Sequence, residues 1–214
     1  MDEIVMAAIA KWPDVPHCYG WLGLDARGNW RMRDERAQAL QLAGDKIRNP
    51  TLLGFINRNY QHDQDGCWYF QNGPQRVYVD LESAPYIVNT TPAGLILHTA
   101  VTMPTIDAAF MSSSGQLYLR AGEILAQLDD RDLAACLAQV QLDGKPVSDE
   151  ELLAWLELGA EESADTSQSN ASIQLASSLP SHEAIRYPLL RAELHQLMHS
   201  AGYIQQPKAK QLPA

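Results

Sequence analysis

Two spaced blocks of this sequence recur in the same order, and that repetition constrains the fold more than any single motif. Residues 28–33 are matched by residues 115–120, and both run turn glycine, polar, apolar, variable, apolar, arginine. A second block beginning at Gly44 is matched by one beginning at Gly144. The copies are offset by 87 positions in the first pair and by 100 in the second, so the later copy carries a 13-residue insertion. A recurring hairpin and short helix predict an internal duplication.

The first repeated block contains an alternating segment that predicts a β-strand. Residues 29–33 follow a glycine-bearing turn and alternate between apolar and charged side chains. Because successive side chains of a strand point to opposite faces, we expect Trp30 and Met32 to face inward. Arg31 and Arg33 are then expected to face outward.

Helices are predicted where apolar residues recur at helical spacing beside a capping residue. Residues 2–11 show this spacing and predict a short amphipathic helix. Asn49 followed by Pro50 is a favourable helix start, since asparagine caps the first turn and proline loses no needed hydrogen bond. The buried face of that second helix is predicted to consist of Leu52, Leu53, Phe55 and Ile56.

Further elements are predicted along the rest of the chain. Residues 67–99 contain four strand-like runs separated by turn residues, which predicts an antiparallel meander. Ser148 and Glu151 have the spacing of a capping box and predict the start of another helix. Residues 173–175 indicate one more strand, and residues 187–200 a short helix.

These patterns together predict an α+β protein. It consists of antiparallel β-hairpins and a meander with short helices, in two similar halves that arose by internal duplication. The predicted organisation is a first repeat over 1–100, a second over 101–159, a flexible linker or loop over 160–171, and a C-terminal segment over 172–214 that packs back on the core.

The charge balance excludes some partners. The formal net charge is -10 and the isoelectric point is about 4.9. Binding to nucleic acid or to an anionic membrane without sequence preference needs basic surface, so neither partner is expected. The charge is uneven, with a net of -2 over residues 1–100 and of -8 over residues 101–214.

The termini and cysteines favour a cytoplasmic protein. The chain opens with Met1-Asp2-Glu3, whereas a secretory signal opens with basic residues. No apolar stretch approaches the roughly 20 residues that span a bilayer. The three cysteines are far apart and contain no C-x-x-C pair, which is typical of reduced thiols.

No sequence motif commits the chain to a reaction. The phosphate-binding loop, the dinucleotide-binding glycine pattern and the G-x-S-x-G nucleophile motif are all absent from the sequence. The run Asp63-Gln64-Asp65-Gly66 resembles part of a calcium loop. In that register the first and twelfth ligand positions would be Gln61 and Asn72, which are wrong for the loop, so a hairpin turn is predicted instead. We therefore expect no cofactor.

A concentration of arginines in the first half is the best candidate for a binding site. Arginine forks beside tyrosine side chains can hold an anionic small molecule or an acidic protein segment. The alternative is that these outward faces are simply solvated, and that a cation at a helix end favours the helix dipole. The predicted ligand-binding residues are Arg31, Arg33, Arg58, Tyr60, Arg76 and Tyr78.

Three histidines near the C-terminus offer an alternative site. His195 and His199 are four residues apart, so a helix would place both on one face, and His182 lies nearby in sequence. Two such imidazoles can hold zinc, yet the general-base glutamate of the H-E-x-x-H motif is replaced by Gln196. Solvated histidines are the expected reading, and a metal-dependent hydrolase is the alternative.

Several short motifs over the first half of the chain match a known family pattern. They are Gly28-x-Trp30, Ile47-Arg48, Leu52-Leu53-x-Phe55, Asp65-Gly66-x-Trp68-Tyr69, Val77-Tyr78-Val79-Asp80 and Ala84-Pro85-Tyr86. With these motifs the chain resembles an uncharacterised proteobacterial family, domain of unknown function 1285, or a sister family of equally unknown function. The resemblance covers roughly residues 20–90 and departs from the family pattern over residues 71–76. It implies a β-rich α+β fold built from repeated motifs and an unproven part in signal transduction, and it carries over no catalytic residue.

The sequence thus favours a non-enzymatic, signalling-related binding or regulatory protein. Its site is expected where the two halves meet, with first-half arginines and aromatic residues as the ligand contacts. A metal-dependent hydrolase that uses the C-terminal histidines and a pure protein–protein scaffold are the alternatives. The sequence does not indicate an oligomeric state.

Overall fold

The computed structural model of the chain describes residues 1–158, 169–176 and 184–209. The chain divides into two compact units. The first unit comprises Met1–Pro85 and the chain from Gly202 onward, and the second comprises Tyr86–Ala201. None of the helices in the described residues is long and apolar enough to cross a membrane.

The first unit contains three helices and one six-stranded sheet. Its helices are α1 (Glu3–Lys11), α2 (Glu35–Ala39) and α3 (Pro50–Arg58). Its strands are β1 (Cys18–Leu24), β2 (Trp30–Met32), β3 (Asp45–Lys46), β4 (Tyr60–His62), β5 (Trp68–Asn72) and β6 (Gln75–Leu81). The strand order is β3-β2-β1-β6-β5-β4. β1 and β6 pair in parallel and the other neighbours are antiparallel.

The second unit contains a nine-stranded sheet in the order β13-β12-β14-β15-β9-β10-β11-β7-β8. Its strands are β7 (Tyr86–Thr91), β8 (Gly94–Leu97), β9 (Ala108–Met111), β10 (Leu117–Ala121), β11 (Ile124–Leu128), β12 (Val140–Leu142), β13 (Lys145–Pro146), β14 (Ala171–Ala176) and β15 (Ala184–Arg191). Its helices are α4 (Asp130–Leu137), α5 (Asp149–Glu157) and α6 (Leu194–Ala201). A cluster of buried apolar side chains from this sheet and from α4 and α5 forms its core.

The α+β class and several local predictions are confirmed. α1 covers the helix predicted over residues 2–11. The side chain of Asn49 accepts a hydrogen bond of 3.1 Å from the Leu52 amide and caps α3. Ser148 and Glu151 form both bonds of the capping box at the start of α5. Capping contacts depend on residues only three apart, which explains why they can be predicted from sequence alone.

The predicted facing of β2 is wrong in part. Trp30 is buried as expected, but Met32 is 46% exposed. The Arg33 side chain is only 17% exposed because its guanidinium is paired with Asp80 on β6. Likewise only Ile56 is fully buried on α3, and Leu52 lies at the surface. Arg33 lies just past the end of β2, where its pairing with Asp80 keeps it partly buried, so the alternation of apolar and polar residues does not predict its position.

The meander predicted over residues 67–99 consists instead of two hairpins in different sheets. β5 and β6 pair in the first unit, while β7 and β8 pair in the second. Pro85 separates the two hairpins, since proline cannot donate the backbone hydrogen bond that a continuing strand needs. The segment predicted as a helix over residues 187–200 is also split, because β15 runs to Arg191 and α6 begins at Leu194.

The internal duplication stays a prediction. The glycines that open the two matched hairpin turns, Gly28 and Gly115, both have positive φ, as turn glycines do. The strands that follow pair alike, because β2 forms antiparallel pairs with β1 and β3 just as β10 does with β9 and β11. The second matched blocks pair differently, because β3, which follows Gly44, pairs with β2, whereas β13, which follows Gly144, pairs with β12. The predicted limits at residues 100, 159 and 172 fall inside the second unit, and the predicted domain organisation stays untested.

Residues 202–209, which we call the C-terminal strap, return to the sheet of the first unit. The amide of Ile204 donates to the carbonyl of Gly66 at 3.0 Å, and the amide of Leu81 donates to the carbonyl of Gln205 at 2.8 Å. The hydroxyl of Tyr203 donates to the carbonyl of Ser83 at 3.2 Å. The strap therefore fastens the β4–β5 turn and the end of β6 together.

The contact between Gly66 and the strap predicts a sharp cost for a small substitution. A Cβ at Gly66 would lie 1.9 Å from the carbonyl oxygen of Gly202, whereas a Cβ at Gly73 would meet nothing closer than Ala8 at 3.9 Å. Both glycines have positive φ, so alanine is strained at either position. We expect Gly66→Ala to lower the free energy of unfolding by at least about 2 kcal/mol more than Gly73→Ala, measured by urea denaturation. Equal losses in the two variants would contradict the close approach of the strap.

Candidate functional site

The six residues predicted to bind a ligand lie at four places in the first unit. One pair lines a small cavity of about 300 Å³ and a second pair lines a larger groove of about 1120 Å³. One residue lies at the end of α3 and one in the core. Arg31 and Arg33 line the small cavity, and Arg76 and Tyr78 line the groove. Arg58 is the residue at the end of α3, and Tyr60 is the residue in the core.

The charges in the small cavity are paired with one another. Arg31 lies 2.8 Å from Asp25, and Arg33 forms an ion pair with Asp80. Burial raises the pKa of Asp80, while the charge and hydrogen bond of Arg33 oppose that rise. These pairs tie the β1–β2 hairpin to its own turn and to β6, so they support the structural role of the two arginines.

Arg58 and Tyr60 also have partners that account for them. The guanidinium of Arg58 lies 3.3 Å from the carboxylate of Asp2, and this hydrogen bond lowers the pKa of Asp2. The hydroxyl of Tyr60 donates to the carbonyl of Pro85 at 2.9 Å, and its ring packs against Trp30 and Trp68. Tyr60 is therefore a core residue with a satisfied hydroxyl.

The larger cavity, which we call the tyrosine groove, brings three tyrosines together with charged side chains of both signs. It is formed by the start of β1, the β4–β5 turn, the β5–β6 hairpin and the C-terminal strap. All of its lining residues belong to the first unit. They are Pro16, His17, Tyr19, His62, Asp63, Gln64, Asp65, Cys67, Tyr69, Arg76, Tyr78, Lys208 and Ala209.

Strand register brings three tyrosines together in this groove. Tyr69 pairs directly with Tyr78 across the β5–β6 hairpin. β1 begins by pairing Cys18 with Val77, so the next residue, Tyr19, comes beside Tyr78. The rings of Tyr19 and Tyr78 are stacked with centroids 4.6 Å apart and planes 7° apart, and Tyr69 meets Tyr78 edge-on at 5.6 Å. Three packed rings form a rigid wall, because each restricts the rotation of its neighbour.

Arg76 lies on this aromatic wall. Its guanidinium carbon is 4.6 Å from the centre of the Tyr69 ring, within the range of a cation–π contact. Burial alone would lower the pKa of Arg76, but its polar contact with the Tyr78 hydroxyl and the nearby charge of Asp63 raise it. Arg76 forms no ion pair within the described residues, in contrast to Arg31, Arg33 and Arg58. The cation is thus held in place without being neutralised by a bonded carboxylate.

The carboxylate of Asp63 forms hydrogen bonds both within the β4–β5 turn and with the hydroxyl of Tyr78. Its Oδ1 accepts hydrogen bonds of 3.0 Å from the amides of Asp65 and Cys67, which closes the β4–β5 turn. Its Oδ2 accepts a hydrogen bond of 2.9 Å from the Tyr78 hydroxyl. The hairpin turn predicted over residues 63–66 is therefore confirmed, and its first carboxylate reaches into the groove.

Two side chains of the groove have pKa values that keep them neutral at physiological pH. Burial and the hydrogen bond donated to Asp63 raise the pKa of Tyr78 to about 12, although Arg76 opposes the rise. Burial and the charge of Arg76 lower the pKa of His17, although Asp63 opposes that effect. His17 meets the edge of Tyr78 at 5.8 Å. The fixed charges lining the groove are therefore those of Arg76 and Lys208 and of Asp63 and Asp65.

The alternative histidine site gains no support from the described residues. His195 and His199 lie on α6 as the spacing predicts, and both are exposed. His182 lies outside the described residues. Across the described ranges, no group of three or more histidine, cysteine or carboxylate side chains is placed to hold a metal ion.

Sequence reasoning missed Tyr19, Asp63 and Tyr69 as members of one site. Tyr19 joins the site through the parallel pairing of β1 with β6, which links segments about 60 residues apart and leaves no local pattern. Asp63 joins it through the hydrogen bond that it accepts from Tyr78. The placement of Tyr69 opposite Tyr78 could have been anticipated. A turn of Gly73 and Pro74 fixes the register of that hairpin, and counting outward from the turn pairs the two tyrosines.

The comparisons with known proteins point to uncharacterised families. A family model described as "Protein of unknown function (DUF2946)" matches residues 1–208. A crystal structure of a DUF1285 family protein from Silicibacter pomeroyi DSS-3 aligns with 14% identity and a TM-score of 0.43, over 92% of this chain and 98% of that one. Another, from Shewanella baltica OS155, aligns with 12% identity and a TM-score of 0.38, over 54% of this chain and 88% of that one. No curated protein matches the chain.

These matches bear on the family resemblance found in the sequence. The prediction of an uncharacterised family, DUF1285 or a sister family, is confirmed, since the matching family model is itself of unknown function. The matches name no ligand, reaction or partner. The groove therefore offers the main structural indication of what the protein binds.

The raised pKa of Tyr78 predicts a defined alkaline loss of stability. A tyrosine whose folded pKa is above its unfolded value of about 10 contributes stability that is full below that pH and is lost as the pH rises through the folded value. With a folded pKa of about 12, we expect the wild-type free energy of unfolding to fall between about pH 10 and 12 relative to that of Tyr78→Phe. Urea denaturation of both proteins at several pH values measures this difference. A difference that stays constant over the range would contradict the buried, hydrogen-bonded phenol.

Proposed function

This chain belongs to the family of proteins of unknown function whose model matches residues 1–208, and we propose that it is a non-enzymatic binding module whose ligand carries a carboxylate. The site is the tyrosine groove of the first unit, and the anchoring residue is Arg76. The sequence expectation of a site between the two halves is replaced in this proposal by a site within the first unit.

The observation that carries the proposal is the unneutralised charge of Arg76 in a cavity large enough for a ligand. The other three predicted arginines are each engaged by an aspartate. Arg76 instead lies on the Tyr69 ring, with its positive charge at the wall of a groove of about 1120 Å³. An arginine fork that is held by stacking is preorganised to receive a carboxylate through two parallel hydrogen bonds.

The remaining groups of the groove favour binding over catalysis. Three hydrogen bonds hold the Asp63 carboxylate to the turn and to Tyr78, which fixes its position at the wall of the groove. Nδ1 of His62 lies 2.9 Å from the backbone carbonyl of Asp63. The phenol of Tyr78 stays protonated at neutral pH because its pKa is about 12. A phenol with so high a pKa is a poor proton-transfer group at neutral pH, since an effective general acid or base has a pKa near the operating pH.

The charge distribution favours a small ligand over an acidic protein segment. Asp63 and Asp65 line the same groove as Arg76, so a run of acidic residues would meet two carboxylates of like charge. The first unit has 11 Lys and Arg against 11 Asp and Glu, and the second has 5 against 15, so the whole net charge of -10 lies in the second unit. The electrically balanced first unit suits a ligand of low net charge. Occupancy of the groove would then serve the signalling-related role that we propose for this chain.

A matched pair of arginine variants tests the proposal. The probe is 3-phenylpropionate, which joins one carboxylate to one aromatic ring, titrated into ¹⁵N-labelled full-length protein and followed by NMR. Losing a charge-assisted hydrogen bond costs about 1.5–3 kcal/mol, so we expect Arg76→Gln to weaken binding at least about tenfold. Arg58→Gln removes a neighbouring cation of the same unit that does not line the groove, and we expect unchanged affinity. Binding that survives Arg76→Gln, or that is lost equally in both variants, would refute the site.

A further inference from the structure

We infer that the ligand of the tyrosine groove is a zwitterion, namely a free aromatic α-amino acid whose carboxylate meets Arg76 and whose ammonium group meets Asp63. This inference rests on the proposed function, because it takes Arg76 as the carboxylate anchor. It goes further because it assigns a second, positive charge and an aromatic ring to the ligand.

The two opposite charges lie on either side of a single hydroxyl group. Tyr78 donates to Oδ2 of Asp63 at 2.9 Å, and the same hydroxyl is in polar contact with the guanidinium of Arg76. Two hydrogen-bond lengths place the cation and the carboxylate on the order of 6 Å apart. An α-amino acid carries its ammonium and carboxylate groups on one carbon atom, so both can reach such closely spaced partners at the same time.

Asp63 retains the capacity to accept another hydrogen bond. Its two oxygens offer about four lone-pair sites, and three are used by the amides of Asp65 and Cys67 and by Tyr78. The remaining site is on Oδ2, the oxygen that faces Tyr78. The exposed Asp65 lines the groove as well and adds negative potential on the same side. An ammonium group therefore has a defined acceptor, and a neutral substituent in its place would leave that acceptor unused.

The same charges disfavour ligands of one sign. A phosphate ester or a dicarboxylate would place its second negative charge near Asp63 and Asp65. A simple amine would meet Arg76 and Lys208, which carry positive charge in the same groove. His17 does not alter this balance, since its lowered pKa leaves the imidazole neutral at physiological pH. The groove is thus complementary to a ligand that carries one positive and one negative charge and has no net charge.

The aromatic wall indicates the side chain of this amino acid. Of the three rings that line the groove, Tyr19 is partly exposed and offers ring surface to a ligand, while the buried rings of Tyr69 and Tyr78 hold it in place. Aromatic rings prefer offset or edge-to-face contacts with other rings. The groove volume of about 1120 Å³ leaves ample room for a phenyl or indole side chain beside the charged pair.

Three ligands that differ by one group each test the inference. Full-length protein is titrated by isothermal calorimetry with L-phenylalanine, with 3-phenylpropionate, which lacks the ammonium group, and with phenethylamine, which lacks the carboxylate. We expect L-phenylalanine to bind at least about tenfold more tightly than either analogue. If 3-phenylpropionate binds as tightly as L-phenylalanine and Arg76→Gln abolishes both, the zwitterion is refuted while the proposed carboxylate site stands. If neither carboxylate binds the wild-type protein, both fail.

Asp63→Asn separates recognition of the ammonium group from a structural role of this residue. Asparagine closes the same kind of turn through its side-chain oxygen, so the turn is retained. We expect this variant to weaken L-phenylalanine at least about tenfold and to leave 3-phenylpropionate unchanged or slightly tighter, because a negative charge near its carboxylate is removed. A parallel loss for both ligands would assign Asp63 to the architecture of the groove and overturn its role as the ammonium partner.

Discussion

The parallel pairing of β1 with β6 is the contact on which the first unit depends. It joins the β1–β2 hairpin to the β5–β6 hairpin, two structures that each form from local sequence. On one side of the junction it brings Arg33 to Asp80, and on the other it brings Tyr19 to Tyr78. A parallel pair cannot be closed by a short turn, so the intervening chain must pass through α2 and α3 before the two strands meet. The ion pair and the aromatic stack are therefore consequences of the same pairing.

Local features of the fold could be read from the sequence because their causes are local. The cap at Asn49, the capping box at Ser148 and the turn at Asp63 each depend on side chains and amides a few residues apart. Which strands pair with one another could not be predicted from the sequence in the same way. The three parallel pairings, β1 with β6, β11 with β7 and β15 with β9, link segments that share no turn, and each permits many registers with similar apolar patterns.

The candidate site shows the same division. Arg76 and Tyr78 were both among the ligand contacts predicted from the sequence, and both line the groove. It grouped them with Arg31, Arg33 and Arg58, because residue type alone does not reveal which cations have an aspartate partner. Those partners, Asp25, Asp80 and Asp2, are separated from their arginines by 6, 47 and 56 positions. Arg76 differs from the other three arginines in the contacts that strand pairing creates around it. The amino-acid composition does not reveal those contacts.

The C-terminal strap has a consequence for the order in which the chain acquires its structure. Everything the second unit needs is contiguous in sequence, from Tyr86 to Ala201, whereas the first unit is interrupted and is completed only by residues from Gly202 onward. During synthesis from the N-terminus, residues 1–85 emerge early, yet the amides of Leu81 and Ile204 find their partners only after 116 further residues of the second unit have been made. The unit that is translated first is thus the last to be finished. Its sheet and the rim of its groove stay unfastened while the larger sheet folds.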